Sequence, residues 1–474
     1  MPDRKPACVV GSGPNGLAAA IVLAQAGLLV EVYEAEITPG GAARTMELTL
    51  PGFLHDFGSA VHPMGAGSPF FSSLPLHDHG LQWIHSPAPL AHPLDDGSAV
   101  VLERNLEDAK NALGLDGKVW GDLVQPFVER WGEFAPEVLG PVPIVPRHPV
   151  LMARFASIAF RSAEAIANRF QSARTRALFA GLAAHSFLSM DEPLSGAFGL
   201  LIAIPAHAVG WPIARHGSQS VTNALCSYLE KLGGTVRTGS RVESLMALRG
   251  YDLTLCDVTP RQLLQIGKQR LSPSFIRALE RFRYGPGAFK VDYALSEPIP
   301  WTAPECLRAA TVHLGGSFEE IALSEKSVQS GAPADRPFVI LVQPSLFDAS
   351  RAPAGKHTAW AYCHVPNGSN VDMLQRLEDQ IERFAPGFRD TVLARRTLSP
   401  AGLEKMDSNL VGGDIVGGVL DLRQFAFRPT WRHYATSAPD IFICSASTPP
   451  GGGVHGMCGY HAATRAMRAS ALRK

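Results

Sequence analysis

The sequence predicts an α/β protein in which a parallel sheet with crossover helices is interleaved with an α+β body of mixed sheet and helices. Three stretches carry the prediction. Cys8-Val9-Val10 is an apolar run that ends in Gly11-Ser12-Gly13-Pro14-Asn15-Gly16 and passes into Leu17-Ala18-Ala19-Ala20, a strand, a turn and a helix in succession. Leu28-Leu29-Val30-Glu31-Val32-Tyr33 reads as the second strand and delivers Glu34, 18 residues past Gly16. Near the far end, Ile441-Phe442-Ile443-Cys444 reads as a closing strand, followed by a Gly-rich turn through Gly459 and a last helix.

The first unit has the chemistry of a Rossmann-type dinucleotide site. Gly11 permits the tight turn, Gly13 lets backbone approach a pyrophosphate, and Gly16 lets the helix pack on its strand. Pro14 and Asn15 fill the two variable positions, where the helix N-terminus offers free N–H groups to the anion. Glu34, with Ala35 beside it, stands where an acid hydrogen-bonds ribose hydroxyls.

The residues beyond Glu34 point to a flavin rather than a nicotinamide nucleotide. Pro39-Gly40-Gly41-Ala42-Ala43-Arg44 supplies a second glycine pair and an arginine, and Phe53-Leu54-His55-Asp56-Phe57-Gly58-Ser59 a third glycine turn. An extended flavin nucleotide needs backbone well past its pyrophosphate. Glu34-Ala35-x4-Gly40-Gly41-x2-Arg44 and the tail Ser445 to Gly459 resemble the flavin amine oxidase and phytoene desaturase superfamily. Within it, Gly210-Trp211-Pro212, Arg283-Tyr284-Gly285-Pro286-Gly287 and Gly412-Gly413-Asp414 are most similar to the phytoene desaturase-related oxidoreductases. The resemblance implies non-covalent FAD held by Gly41, Ala42, Arg44, Gly58, Ser59, Ser445, Gly453, Val454 and His455. It also implies that the backbone of Val242 contacts the adenine. Two departures stand out: Ser445 replaces a frequent glycine, and the stretch from Val242 to Asp257 is short.

The rest of the composition agrees with this reading. The 474 residues carry 43 Lys plus Arg against 43 Asp plus Glu, a balance that gives no electrostatic footprint for nucleic acid. Seven scattered cysteines, an odd number without a C-x-x-C pair, argue for a reducing, cytoplasmic setting and against a disulfide framework or zinc site. No apolar run reaches the roughly 18 residues of a membrane span. The alternation of elements divides the chain into an FAD-binding domain over 1–64, 205–257 and 414–474 and a substrate domain over 65–204 and 258–413. In the middle FAD piece a helix is expected from Ser218 to Leu232, then strands at Thr235 to Thr238 and at Arg241-Val242. The run Pro141-Val142-Pro143-Ile144-Val145-Pro146 reads as a turn in the substrate domain. A single helix is expected from Leu151 to Phe170, with Arg154, Arg161 and Arg169 beside an apolar face. It suits either core packing or contact with a membrane surface.

Catalytic candidates lie on segments expected to face the flavin. Lys290 interrupts the apolar strand Ala288 to Leu295, and in the resemblance it matches a lysine that reaches flavin N5 through a water. A buried lysine needs a partner or a task. His62 and His455 titrate in the range of acid–base work, or else are satisfied by backbone. Cys458 is not expected to bond a flavin, and His77-Asp78-His79 lacks further metal ligands. No G-x-S-x-G, P-loop or H-E-x-x-H occurs. The expectation is therefore an FAD enzyme oxidising an apolar or amphiphilic substrate to a carbon–carbon double bond, reoxidised by oxygen, quinone or another external carrier. A redox-neutral isomerase, an amine oxidase and a non-catalytic flavin-binding protein are the alternatives. For the amine oxidase no aromatic pair is assignable as a cage.

Overall fold

The computed structural model describes residues 6–141 and 145–471, so the centre of the expected Pro141–Pro146 turn lies outside the described residues. Two sheets organise the chain. The first is all parallel, in the spatial order 441–443, 253–256, 6–10, 29–33, 235–237, with the glycine-motif strand at its centre. Its helices are Pro14–Gln25, Gln219–Lys231 and Met457–Ala471. The first of these is apolar on every side because the other two and the sheet surround it. Leu17, Ile21 and Leu23 are fully buried, each contributing about 1.5–3 kcal/mol. The last helix lies so close that a Cβ on Gly459 would stand 1.8 Å from the Asn15 carbonyl oxygen.

The second sheet has seven strands in the order 392–398, 287–295, 357–365, 339–342, 309–314, 88–93, 99–102. Every pairing is antiparallel except that of 309–314 with 88–93. Alternation along 287–295 assigns its two faces. Phe289, Val291, Tyr293 and Leu295 pack with Leu377, Ile381 and Phe384 of the helix behind. Ala288, Lys290 and Asp292 point the other way, where Ile340, Val342, Trp360 and Tyr362 meet the helices Ala173–Ala184 and Ser195–Ala208.

Two expectations are corrected. The expected helix over 151–170 is two helices, Pro149–Ala159 and Ala163–Ala167, because Ser162 caps a new start by accepting the Ala165 N–H at 3.2 Å. Arg241-Val242 is loop, not strand; Val242 is half-buried there with no ladder partner.

Candidate active site

A cavity of about 760 Å³ runs from the glycine motif to the inner face of the mixed sheet. Its wall includes Gly11, Gly13, Pro14, Asn15, Glu34, Ala35, Gly41, Ala42, Arg44, Gly58, Ser59 and Val242. Ser445, Gly453, Val454 and His455 complete that end, and His62 and Lys290 also line the cavity. Gly16 stands behind the wall. A Cβ there would lie 2.2 Å from the Gly11 carbonyl oxygen, so the helix could not seat on its strand.

At the motif end the backbone is held open by side chains. Glu34 accepts the Ser12 hydroxyl and the Ser12 and Glu36 N–H groups, both at 2.9 Å. Asp257, at the end of strand 253–256, accepts the Gly16 N–H at 2.8 Å. Burial pushes its carboxyl up to about 8 against that bond, and Asp407 and Glu34 add repulsion. The Arg44 guanidinium donates to the carbonyls of Gly41 at 2.7 Å and Met406 at 2.8 Å, fastening the second glycine turn to the helix Pro400–Met406. Close approach is strict at two glycines. A Cβ on Gly13 would meet Asp257 Oδ2 at 2.7 Å, and one on Gly58 the Ala42 oxygen at 2.6 Å. Asn15 Oδ1 is buried without a protein partner.

The third glycine turn rests on a buried charge pair. Asp56 bonds Arg351 at 2.6 Å and accepts the Ser218 N–H at 2.8 Å and the Thr45 hydroxyl at 2.7 Å. The Ser218 hydroxyl donates to the Ser59 carbonyl, which leaves its oxygen to accept from His62 Nε2 at 2.9 Å. His62 is thus the Nε2–H tautomer, fixed to the turn. His455 Nδ1 accepts the Met457 N–H at 3.0 Å and caps the last helix. Burial lowers both imidazoles to about 4, so both are neutral at pH 7. Lys290 sits mid-strand and buried; its ammonium pairs with Asp292 and lies 5.3 Å from the centre of the Trp360 ring. Burial draws the ammonium below its ordinary range, against the attraction of Asp292.

Beyond Lys290 the chamber is apolar and aromatic, with Met152, Phe155, Phe198, Leu201, Trp211 and Phe425 in its wall. Trp360 and Tyr362 also line it and stack at 5.7 Å, an aromatic pair that sequence reading left unassigned. They are neighbours on one strand, and Lys290 already occupies the Trp360 face, so the pair is not a free cage for an amine. His77 and His79 belong to a surface turn, and no metal-holding group of three His, Cys, Asp or Glu occurs among the described residues.

A family model for NAD(P)-binding Rossmann-like domains matches residues 9–74. A phytoene desaturase (lycopene-forming) of a Paracoccus species is 24% identical, over 99% of this chain and 98% of its own. The chain is thus similar to phytoene desaturases over nearly its whole length and carries a Rossmann-like nucleotide-binding unit. The pyridine nucleotide-disulfide oxidoreductase domain-containing protein 2 of Rattus norvegicus is 25% identical over 96% of this chain and 92% of its own. Among solved structures, an oxidoreductase from Methanosarcina mazei shares the fold with a TM-score of 0.66 at 16% identity, covering 98% of this chain and all of that one. Putrescine oxidase shares it with a TM-score of 0.58 at 14% identity, covering 99% of each. No redox disulfide accompanies the flavin fold of this oxidoreductase. All seven cysteines are unpaired; Cys8 and Cys256 are buried thiols on neighbouring strands, and buried Cys444 follows the next strand.

Sequence reading missed several wall residues. Asp257 carried a signal, an acid closing the apolar run Leu253 to Cys256, but its partner Gly16 is remote in sequence. His185, Thr311 and Trp360 carried none, because only the sheet register and the docking of helix 173–184 bring them to one wall.

Proposed function

We propose that this protein is an FAD-dependent dehydrogenase that desaturates an apolar or amphiphilic substrate. The observation that carries the reading is continuity: the glycine-walled cradle and the aromatic chamber are one cavity. Non-covalent FAD fits the cradle, since Gly11, Gly13, Gly41 and Gly58 wall it with bare backbone and Asn15 Oδ1 is buried there without a protein partner. In this reading the N-terminus of helix 14–25 binds the pyrophosphate, Glu34 exchanges its Ser12 bonds for ribose hydroxyls, and Val242 borders the adenine. Ser445, Gly453, Val454 and His455 border the flavin ring system and its ribityl chain.

When bound, the flavin supplies a two-electron acceptor for a substrate C–H bond. The chain's own part is positioning. Trp211, Phe198 and Phe425 exclude water and hold an apolar skeleton. Lys290 keeps its proton on Nζ beside Asp292 and is placed to order a water. Cys458 donates its thiol to the carbonyls of Thr448 and Gly451 and lies outside the cavity wall, which supports non-covalent attachment. The electrons taken up would need an external acceptor such as oxygen or a quinone. The proposed FAD domain comprises 1–64, 205–257 and 414–474, and the substrate domain the remainder.

A membrane-surface contact supplies such a substrate. Val150, Phe160, Phe427 and Trp431 are exposed, Arg154 is exposed on helix 149–159 and Arg161 just beyond its end, and Met152 and Phe155 of that helix line the cavity. No described helix is long and apolar enough to cross a membrane.

The test is anaerobic addition of lipids, isoprenoids and amines to the flavin-loaded protein, with the visible absorbance and product mass recorded. The expected result is flavin bleaching by an isoprenoid or lipid and, without acceptor, one product per flavin, two hydrogens lighter than substrate. Many turnovers at unchanged mass assign an isomerase instead, and bleaching by amines alone an amine oxidase.

A further inference from the structure

On the inner face of the mixed sheet, Thr311 and Trp360 occupy one cross-strand row with Val342 between them. His313 follows Thr311 by two residues and so shares its face. His185, at the end of helix 173–184, meets His313 with Nε2 to Nε2 at 3.0 Å. Four polar side chains thus share the face that also carries Lys290 and Tyr362, and the mechanism proposed above uses none of the four.

Their hydrogen-bond accounting is incomplete. Thr311 Oγ1 and Trp360 Nε1 are buried without a protein partner, although Thr311 is only 2% exposed and Trp360 6%, and both line the cavity. His313 is wholly buried, and its Nδ1 is unpartnered against the backbone of Gly181. An orphaned buried N–H is rarer than an orphaned acceptor. The pair therefore has His313 Nε2–H donating to His185 Nε2, which puts the second proton on His185 Nδ1. His185 is the half-buried member and lines the cavity, so this N–H is the one the pair offers to a ligand. Burial lowers His185 to about 3, which keeps the ring uncharged. Lys290, a cation on the same sheet face, is already paired with Asp292. An unpaired donor and hydroxyl without net charge suit a neutral oxygen and disfavour a carboxylate, whose desolvation would go uncompensated.

We infer that His185 Nδ1–H, Thr311 Oγ1 and Trp360 Nε1 form a polar subsite for an uncharged oxygen, a hydroxyl or carbonyl, carried by an otherwise apolar substrate. The inference rests on the reading of the chamber as the substrate site, and it makes that substrate an oxygenated one rather than a pure hydrocarbon.

The test compares dodecane, dodecanol and dodecanoate as ligands of the flavin-loaded protein, read by quenching of tryptophan fluorescence, since Trp211 and Trp360 line the cavity. This readout needs no turnover, so failure of the dehydrogenase reading is seen separately as absence of flavin bleaching. Dodecanol is expected to bind about two- to tenfold tighter than dodecane, the scale of a net hydrogen bond. Thr311→Val, isosteric and fold-preserving, and His185→Phe each shrink that ratio toward one. His185→Gln, which restores an N–H, recovers part of it. Should His185→Phe fail to fold, Thr311→Val decides. Equal binding of dodecane and dodecanol by the parent, an unchanged ratio in Thr311→Val, or tightest binding of dodecanoate overturns the assignment.

Discussion

Asp257 Oδ2 accepts the Gly16 N–H at 2.8 Å across 241 residues of sequence. The bond ties the glycine motif to the neighbouring strand and places a carboxyl beside the turn at the helix N-terminus. Because burial pushes that carboxyl up to about 8, it is neutral at pH 7. An ionised Asp257 would repel a pyrophosphate, so flavin affinity should be full below pH 8 and fall above it. One linked proton sets a limit of about tenfold per pH unit. Equilibrium dialysis of FAD from pH 6 to 10 measures this, and Asp257→Asn should flatten the profile.

Gly13→Val should empty the flavin site while leaving the fold. The residue has ordinary extended backbone, so the penalty is steric: its Cβ would meet Asp257 Oδ2 at 2.7 Å and push the phosphate turn out of place. Purified protein should show less than about a tenth of the parent's flavin absorbance, with unchanged far-ultraviolet circular dichroism. Full occupancy in this variant would contradict the cradle.

Arg351→Leu should destabilise the fold by about 3–5 kcal/mol, since it leaves Asp56 buried without its cation. Burial pushes the Asp56 carboxyl up, but Arg351 and the bonds from Ser218 and Thr45 outweigh it and hold it below its ordinary range. Its stabilisation is therefore present above the unfolded pKa near 4 and lost as pH falls below it. Urea unfolding at pH 7 and pH 3 checks both: the variant's deficit should be large at the first and smaller at the second.

Lys290→Met should retain flavin and slow its reduction or reoxidation by a factor of about 10 to 10,000, the scale of a positioned proton-bearing group. Asp292, already raised by burial, then takes up a proton rather than unfolding the strand. Stopped-flow half-reactions measure the effect; rates equal to the parent's would make Lys290 a structural partner of Asp292 alone.

The sequence by itself determined the parallel sheet, its phosphate turn and the nucleotide-facing loops. These are local devices: Gly11 is demanded by its positive φ and Gly16 by the Gly11 oxygen within the same turn, and the acid at Glu34 follows one strand later. The mid-strand lysine was also legible, because a charge in an apolar run is conspicuous. What the tertiary structure alone decided is the character of the reaction chamber. Arg351 beneath Asp56, and the meeting of His185 with His313 beside Thr311, depend on sheet register and helix docking between segments far apart in sequence. The break at Phe160 to Ser162 and the loop at Val242 were missed for a related reason. The hydrophobic pattern continues through both, while the Ser162 cap starts a second helix and the lack of a neighbouring strand leaves Val242 unpaired. Periodicity reports which face is apolar, but only packing determines which polar atoms are left without a partner inside it.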